Sequence, residues 1–261
     1  MNSKIQYFDN KLLGYFVVTL PLILSGCSAK IVSIAAENQQ YVLDSSQPES
    51  KDIDSFIYPF RDSLERMVDK TLATSDGELT IGRQGRDMLP SQVALGNFMT
   101  DAILKIAREK AVELKKETPD ISFSTWGGFR KSLPKGEVTL RNVFELMPFE
   151  NEMVVINLSG ERLNILLKQL SKNYNPVSGA SMVQGDANSI LINGEPVDVN
   201  KVYRVVTSDY YAYGGDNMSF LLESEYYFSG IKIRDALVLY LQQLTENNQT
   251  LKPDYEPRIK N

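Results

Sequence analysis

The chain contains one cysteine and no histidine among its 261 residues. A single cysteine excludes an intramolecular disulfide and any CxxC site, so a buried apolar core has to hold the fold without such cross-links. The missing histidines exclude a Ser-His-Asp triad, an HExxH zinc site and a histidine-containing di-metal centre within this chain. With 43% hydrophobic residues, the sequence can supply a core for one large domain or two small ones.

The overall charge limits the kind of ligand. Lys and Arg number 28 and Asp and Glu number 33, which gives a formal net charge of −5 and a pI near 5.0. A general surface for nucleic acid polymers usually needs a net basic face, so this function is disfavoured. An anionic small molecule would need a local arginine or a helix N-terminus.

The N-terminus has the pattern of a bacterial export signal. Lys4 and Lys11 precede a short apolar stretch, which ends in Leu24-Ser25-Gly26-Cys27. We expect residues 1–26 to be a lipoprotein signal peptide and Cys27 to be the lipid attachment site; the alternative is an ordinary buried cysteine. The protein would then be lipid-anchored in the bacterial cell envelope, on the periplasmic or surface side of a membrane. Residues 27–52 are polar and predict a flexible tether.

Residues 53–261 predict a single α+β domain in which a mixed sheet is packed by helices. No internal repeat or second domain boundary is visible. Helical spacing, alternation and turn residues predict helices over 53–68 (with Pro59 as a kink), from Pro90 onward, over 140–146 after a Thr139 cap, around 163–170 and over 233–244. Strands are predicted over 78–81, 121–125, 153–158, 189–192 and 203–207.

The first sequence cluster with chemical potential is Thr125-Trp126-Gly127-Gly128-Phe129-Arg130, at the end of a predicted strand. Adjacent glycines let a backbone approach a ligand, and the Arg130 guanidinium can bind phosphate through two hydrogen bonds. The alternative interpretation is a Gly-Gly turn followed by a surface arginine.

Two further clusters combine aromatic and polar side chains. One is Met147-Pro148-Phe149-Glu150-Asn151, and the other is the Tyr-rich stretch from Ser208 to Asp216. Together they can stack a planar base and accept hydrogen bonds from sugar hydroxyls. The alternatives are that Phe149 simply covers the core, and that the second cluster is a hairpin with Asp216 as a turn residue.

These clusters form part of an ordered set of six short motifs. The set is Gly96-Asn97-Phe98-Met99-Thr100-Asp101-Ala102, Gly127-Gly128-Phe129-Arg130, Gly136-Glu137-Val138-Thr139, Pro148-Phe149-Glu150-Asn151, Leu158-Ser159-Gly160-Glu161-Arg162-Leu163 and Tyr210–Asp216. Their order resembles the C-terminal domain of bacterial and animal 5′-nucleotidases. The similarity spans residues 55–250.

The resemblance implies a substrate-binding role. In that family a separate N-terminal metallophosphatase domain holds two metal ions and the catalytic histidine. By resemblance, Phe149 and Tyr210 stack the nucleobase, Asp216 meets the ribose hydroxyls, Arg130 helps to hold phosphate, and Asn151 matches an asparagine near the first aromatic. The resemblance implies no catalytic residue, metal site or cofactor in this chain, and places divalent metals in the partner domain.

The sequence departs from the family pattern at three positions. Thr125 stands where an asparagine is common, and Leu89 where an arginine is common, with Arg86 nearby but out of register. Tyr210 replaces a common phenylalanine and keeps a stacking face. The residues for the base and ribose contacts therefore match the family pattern, whereas fewer residues are available for the phosphate contacts.

Three functional hypotheses follow. In the first, the chain binds nucleotides or nucleosides and completes a split 5′-nucleotidase-type hydrolase of nucleotide catabolism with a separately encoded metallophosphatase. It would not be catalytic alone; it would be membrane-attached through the lipid anchor, with no nucleic acid polymer as partner. The alternative is a non-catalytic envelope scaffold that keeps the fold but not the ligand site. The third is an enzyme that acts alone with carboxylates.

Overall fold

The computed structural model describes residue 44, residues 48–82 and residues 85–261. The expected signal peptide, Cys27 and most of the expected tether lie outside the described residues. Within the described part of the chain, no helix combines the length and the hydropathy needed to cross a membrane. Residues 52–261 cluster as one compact unit.

Helices and strands alternate along the described chain. The helices are α1 (Lys51–Val68), α2 (Pro90–Glu113), α3 (Leu140–Leu146), α4 (Gly160–Lys172), α5 (Asp209–Ala212) and α6 (Ile233–Glu246), with 3₁₀ turns at Trp126–Gly128, Gly215–Asn217 and Ser219–Leu221. The strands are β1 (Thr71–Ser75), β2 (Ile121–Phe123), β3 (Gly136–Thr139), β4 (Glu152–Ser159), β5 (Val177–Ser178), β6 (Ala180–Val183), β7 (Asp186–Ile192), β8 (Glu195–Pro196), β9 (Val202–Ser208), β10 (Tyr226–Lys232) and β11 (Ile259–Lys260).

A five-stranded sheet in the order β10-β4-β9-β2-β5 forms the centre of the domain. Its β2–β9 pair is parallel, and its other pairs are antiparallel. A four-stranded sheet (β11-β6-β7-β8) and the β1-β3 pair complete the described sheets. The predicted mixed α+β fold is therefore confirmed.

Strand β4 shows why the central sheet is covered on both faces. Met153 and Val155 point into a core with α2 and α6, and Val154 and Ile156 point into a second core with α4 and the four-stranded sheet. All four side chains are fully buried. Because successive residues of a strand alternate between faces, an unbroken apolar run is typical of a strand buried on both sides.

Side chains that cap helices fix several boundaries. The Thr139 hydroxyl accepts a hydrogen bond from the backbone N–H of Asn142 at 3.4 Å and starts α3, which confirms the predicted cap. The Ser159 hydroxyl accepts from the backbone N–H of Arg162 at 3.3 Å, so β4 passes directly into α4.

One predicted strand is wrong. The strand predicted over 78–81 is reduced to a single bridge between Leu79 and Leu133, and the regular strand of this region is β1 instead. The alternative interpretation of the Tyr-rich stretch as a hairpin is also wrong, because α5 and a 3₁₀ turn form there. Helix α1 forms as predicted and includes Pro59, but of its residues only Val68 is buried.

Candidate functional site

A cavity of about 380 Å³ opens where β2 and β9 end and β4 begins. Arg130, Phe149, Asn151, Tyr210 and Asp216, which the sequence singles out from three separate stretches, all line it. The rest of its described wall comprises Ile103, Phe123, Ser124, Gly127, Gly128, Met147, Thr207, Ser208, Tyr211 and Ile233.

Strand pairing brings these stretches together. Because β2 and β9 are parallel neighbours, their carboxyl ends meet at one edge of the sheet. Strand β4 runs antiparallel to β9 with Met153 opposite Ser208, so its beginning lies at the same edge. The loops that follow β2 and β9 and the loop that precedes β4 therefore surround one space.

The Asp216 carboxylate is held at both oxygens. The Thr125 hydroxyl donates to Oδ2 at 2.8 Å, and the Tyr210 hydroxyl donates to Oδ1 at 3.1 Å. The main chain at Asp216 is left-handed, with φ 51°, a conformation that Asp tolerates better than most residues. Gln169 donates to its backbone carbonyl at 3.2 Å. The carboxylate is therefore an oriented acceptor at the cavity wall.

The two aromatic side chains predicted to stack a base, Phe149 and Tyr210, have different surroundings. The Arg130 guanidinium lies over the Phe149 ring at 4.8 Å from its centroid, and it also donates to the carbonyls of Gly127 and Phe129. Tyr210 is 48% exposed and packs so closely on Gly215 that a Cβ at that glycine would lie 2.4 Å from the ring. Contacts with neighbouring residues therefore fix the position of each ring.

Asn151 stabilises the turn that contains Tyr210. Its side-chain amide donates to Asp209 Oδ1 at 2.8 Å, and the same oxygen accepts the backbone N–H of Tyr210 at 2.8 Å. The predicted binding residue Asn151 thus lies in the cavity wall and also links the loop before β4 to α5.

A buried arginine that sequence reasoning missed supports Phe149. Arg234, 6% exposed at the start of α6, donates to the Phe149 carbonyl at 3.4 Å and to the Glu150 carboxylate, and its guanidinium lies 4.1 Å from the centroid of the Phe144 ring. Nothing in the local sequence marks Arg234, because its partners lie more than 80 residues away. Hydrogen bonds from Lys232 and then from Arg234 lower the pKa of Glu150 to about 2.

This lowered pKa predicts an acid-dependent contribution to stability. Since the folded-state pKa of Glu150 is below the ordinary value of 4.5, its ion pairs stabilise the fold fully above pH 4.5, and this contribution disappears as the pH falls towards 2. Glu150→Gln should therefore lower the urea midpoint at pH 7, with a difference from wild type that shrinks between pH 4.5 and pH 2. Glu223→Gln removes a single ion pair, between an 84% exposed carboxylate and Arg162, and should have a smaller effect at every pH. A pH-independent difference for Glu150→Gln would contradict the prediction.

The wall offers recognition groups for three parts of a ligand. Two aromatic faces can stack a planar ring, a carboxylate can accept hydroxyl protons, and Arg130 can pair with an anion. Leu89 and Arg86 are absent from the described wall, in which Arg130 is the only arginine. Among the described residues, no group of three or more His, Cys, Asp or Glu is placed to hold a metal ion.

Comparisons with known proteins give one consistent family. Residues 71–223 match the model of the 5′-nucleotidase C-terminal domain. The trifunctional nucleotide phosphoesterase protein YfkN of Bacillus subtilis is 24% identical over 237 residues, which cover 84% of this chain and 16% of that protein. Protein UshA of Escherichia coli is 25% identical over 233 residues, which cover 85% of this chain and 37% of that protein.

Solved structures show the same fold. The 5′-nucleotidase precursor of Thermus thermophilus aligns with a TM-score of 0.62 at 23% identity, over 82% of this chain and 44% of that one. The chain thus spans less than half the length of each of these relatives. By the family match over residues 71–223, which is more than half of its length, the chain belongs to the 5′-nucleotidase C-terminal domain family.

Proposed function

We propose that this domain binds nucleotides or nucleosides in the cavity at the end of the central sheet. The observation that supports this most strongly is the convergence of Arg130, Phe149, Asn151, Tyr210 and Asp216 on one cavity of about 380 Å³. Cavities of a few hundred Å³ with apolar walls and a few oriented polar groups are typical of small-molecule sites. A scaffold that had lost its ligand would not need to keep this set together.

The chemistry of the wall suggests an orientation for the ligand. The nucleobase stacks between Phe149 and Tyr210, the ribose hydroxyls donate to the Asp216 carboxylate, and a phosphate lies near Arg130. The Arg130 guanidinium lies over one face of the Phe149 ring, so the base uses the other face or displaces the guanidinium.

We further propose that the domain serves a hydrolase of nucleotide catabolism. A metallophosphatase component on a separate chain would supply divalent metals, which activate water and neutralise phosphate charge. The present domain would orient the substrate for that component. Support comes from the family membership, from a relative named as a nucleotide phosphoesterase, and from the histidine-free sequence. The lipid-anchored envelope location that the N-terminal sequence indicates belongs to the same proposal.

Calorimetric titration of the full chain with adenosine and AMP tests the binding function. Both ligands should bind at one site, and AMP should bind more tightly because of Arg130. Ribose 5-phosphate, which lacks the base, should bind more weakly than AMP. An absence of heat for all three ligands, with and without a metallophosphatase partner, would contradict nucleotide binding and favour the scaffold.

Phosphate release from AMP tests the split-enzyme part. The purified chain with divalent metal should release no phosphate, and addition of the metallophosphatase should give turnover that depends on this chain. Turnover by the chain alone would favour an enzyme that uses its own carboxylates.

A further inference from the structure

We infer that Thr125 is a positioning residue, which orients the Asp216 carboxylate so that the site selects a ligand with two neighbouring hydroxyl groups. The inference rests on the proposed function and adds a determinant of specificity to it. By resemblance alone, Thr125 is a departure that weakens phosphate contacts. Its contacts in the structure point to the sugar side of the site instead.

Thr125 belongs to a directed chain of hydroxyl groups. It is 6% exposed, and its Oγ1 lies 2.8 Å from Asp216 Oδ2 and 2.9 Å from the Tyr211 hydroxyl oxygen. An ionised carboxylate only accepts, so the single Thr125 hydroxyl proton goes to Asp216 and the Tyr211 hydroxyl donates to Thr125. The backbone N–H of Thr125 donates to the Tyr211 oxygen at 3.3 Å, which closes the arrangement.

This arrangement determines which acceptor positions remain for a ligand. Thr125 occupies one position on Oδ2, and Tyr210 occupies one position on Oδ1. A carboxylate oxygen has two lone pairs, so each oxygen keeps one acceptor position. The two fixed carboxylate oxygens can each accept a hydrogen bond from one hydroxyl of a vicinal diol. A carboxylate that rotates on the left-handed turn would have to lose this freedom on binding and would therefore bind the diol less well.

The test compares two substitutions with two ligands. Thr125→Val keeps the shape of the side chain but removes the hydroxyl, and Thr125→Ser keeps the hydroxyl. Calorimetry should show that Thr125→Val lowers the affinity for adenosine about fivefold, which corresponds to about 1 kcal/mol, the net contribution of one typical hydrogen bond. Binding of 2′,3′-dideoxyadenosine, which has no diol, should change less than about twofold, and Thr125→Ser should restore the wild-type ratio of the two affinities.

A measurement without nucleoside separates this inference from the proposed function. Thr125→Val and Asp216→Ala should shift the urea midpoint non-additively in a double-mutant cycle, because either change removes the same hydrogen bond. If the wild-type chain binds neither nucleoside, the proposed function is wrong, and additive midpoint shifts would show that the positioning role is wrong as well.

If the wild-type chain binds adenosine, two results would contradict the inference alone. One is that Thr125→Val lowers the affinity for both nucleosides equally, and the other is that Thr125→Ser does not restore the ratio of the two affinities.

Discussion

Replacing Asp216 by alanine should lower the affinity of the chain for adenosine roughly 100-fold, since two hydrogen bonds from the ribose to a charged group are lost together. Asp216 is the carboxylate of the cavity wall that Thr125 and Tyr210 hold at its two oxygens. Isothermal titration calorimetry with adenosine measures the loss. Binding of 2′,3′-dideoxyadenosine should fall far less, because that nucleoside does not use the carboxylate.

Two further variants distinguish the loss of the ribose contact from a change in the backbone turn at Asp216. Asp216→Asn keeps a residue that tolerates the left-handed conformation, and it should lose less affinity than Asp216→Ala because its amide oxygen still accepts. Asp186→Ala removes a carboxylate at the start of β7, which accepts from the Asn188 backbone N–H at 2.9 Å and lies outside the cavity wall, and it should leave adenosine binding unchanged. An affinity loss of similar size for both nucleosides would contradict the assigned sugar contact.

Replacing Phe149 by leucine should lower adenosine affinity roughly 30-fold, since stacking of a base on an aromatic ring contributes about 1–3 kcal/mol. Leucine retains an apolar side chain at a position that packs partly against the core, so the fold is preserved better than with alanine. Competition binding with adenosine and with ribose 5-phosphate measures the effect. The phosphosugar has no base, so its affinity should stay within about twofold of wild type.

Phe144 provides the matched control for this substitution. Its ring is 40% exposed and lies under the Arg234 guanidinium, much as Phe149 lies under Arg130, but it does not belong to the described cavity wall. Phe144→Leu should leave both ligands unaffected. If Phe149→Leu weakened ribose 5-phosphate as strongly as adenosine, Phe149 would shape the site as a whole rather than stack the base.

The central elements of the fold were predictable where local signals and tertiary packing agree. Strand β4 was visible as an unbroken apolar run, α3 through its Thr139 cap, and α2 through Pro90 and its apolar residues. Each of these segments has a pattern that matches the environment in which it is buried.

The strands that were missed or misplaced lack such a pattern. Strand β1 has a bulge between Thr71 and Ala73, so Leu72 and Ala73 are both buried and the alternation is broken. Strand β10 lies at an edge of the central sheet and has Ser229 as its buried residue. Strand β11 pairs with β6 through contacts between distant parts of the chain. The strand propensity of a few consecutive residues does not reveal a bulge, an edge position or a distant pairing partner.

The sequence predicts members of the candidate site but not the contacts between them. The family motifs predict five binding residues, and the structure places all five in the wall of one cavity. The bonds from Thr125 to Asp216 and from Arg234 to Phe149 join residues 91 and 85 positions apart. Such pairs depend on the strand order of the sheet, so the residues that position the site emerge only in three dimensions.

Aromatic NMR of the full chain during an adenosine titration tests the central claim most directly. If the base stacks between Phe149 and Tyr210, the ring resonances of both residues should shift together and saturate with one affinity, and AMP should shift the same two rings. Spectra in which neither ring responds, because adenosine binds elsewhere or does not bind, would contradict the assignment of this cavity as the nucleotide site.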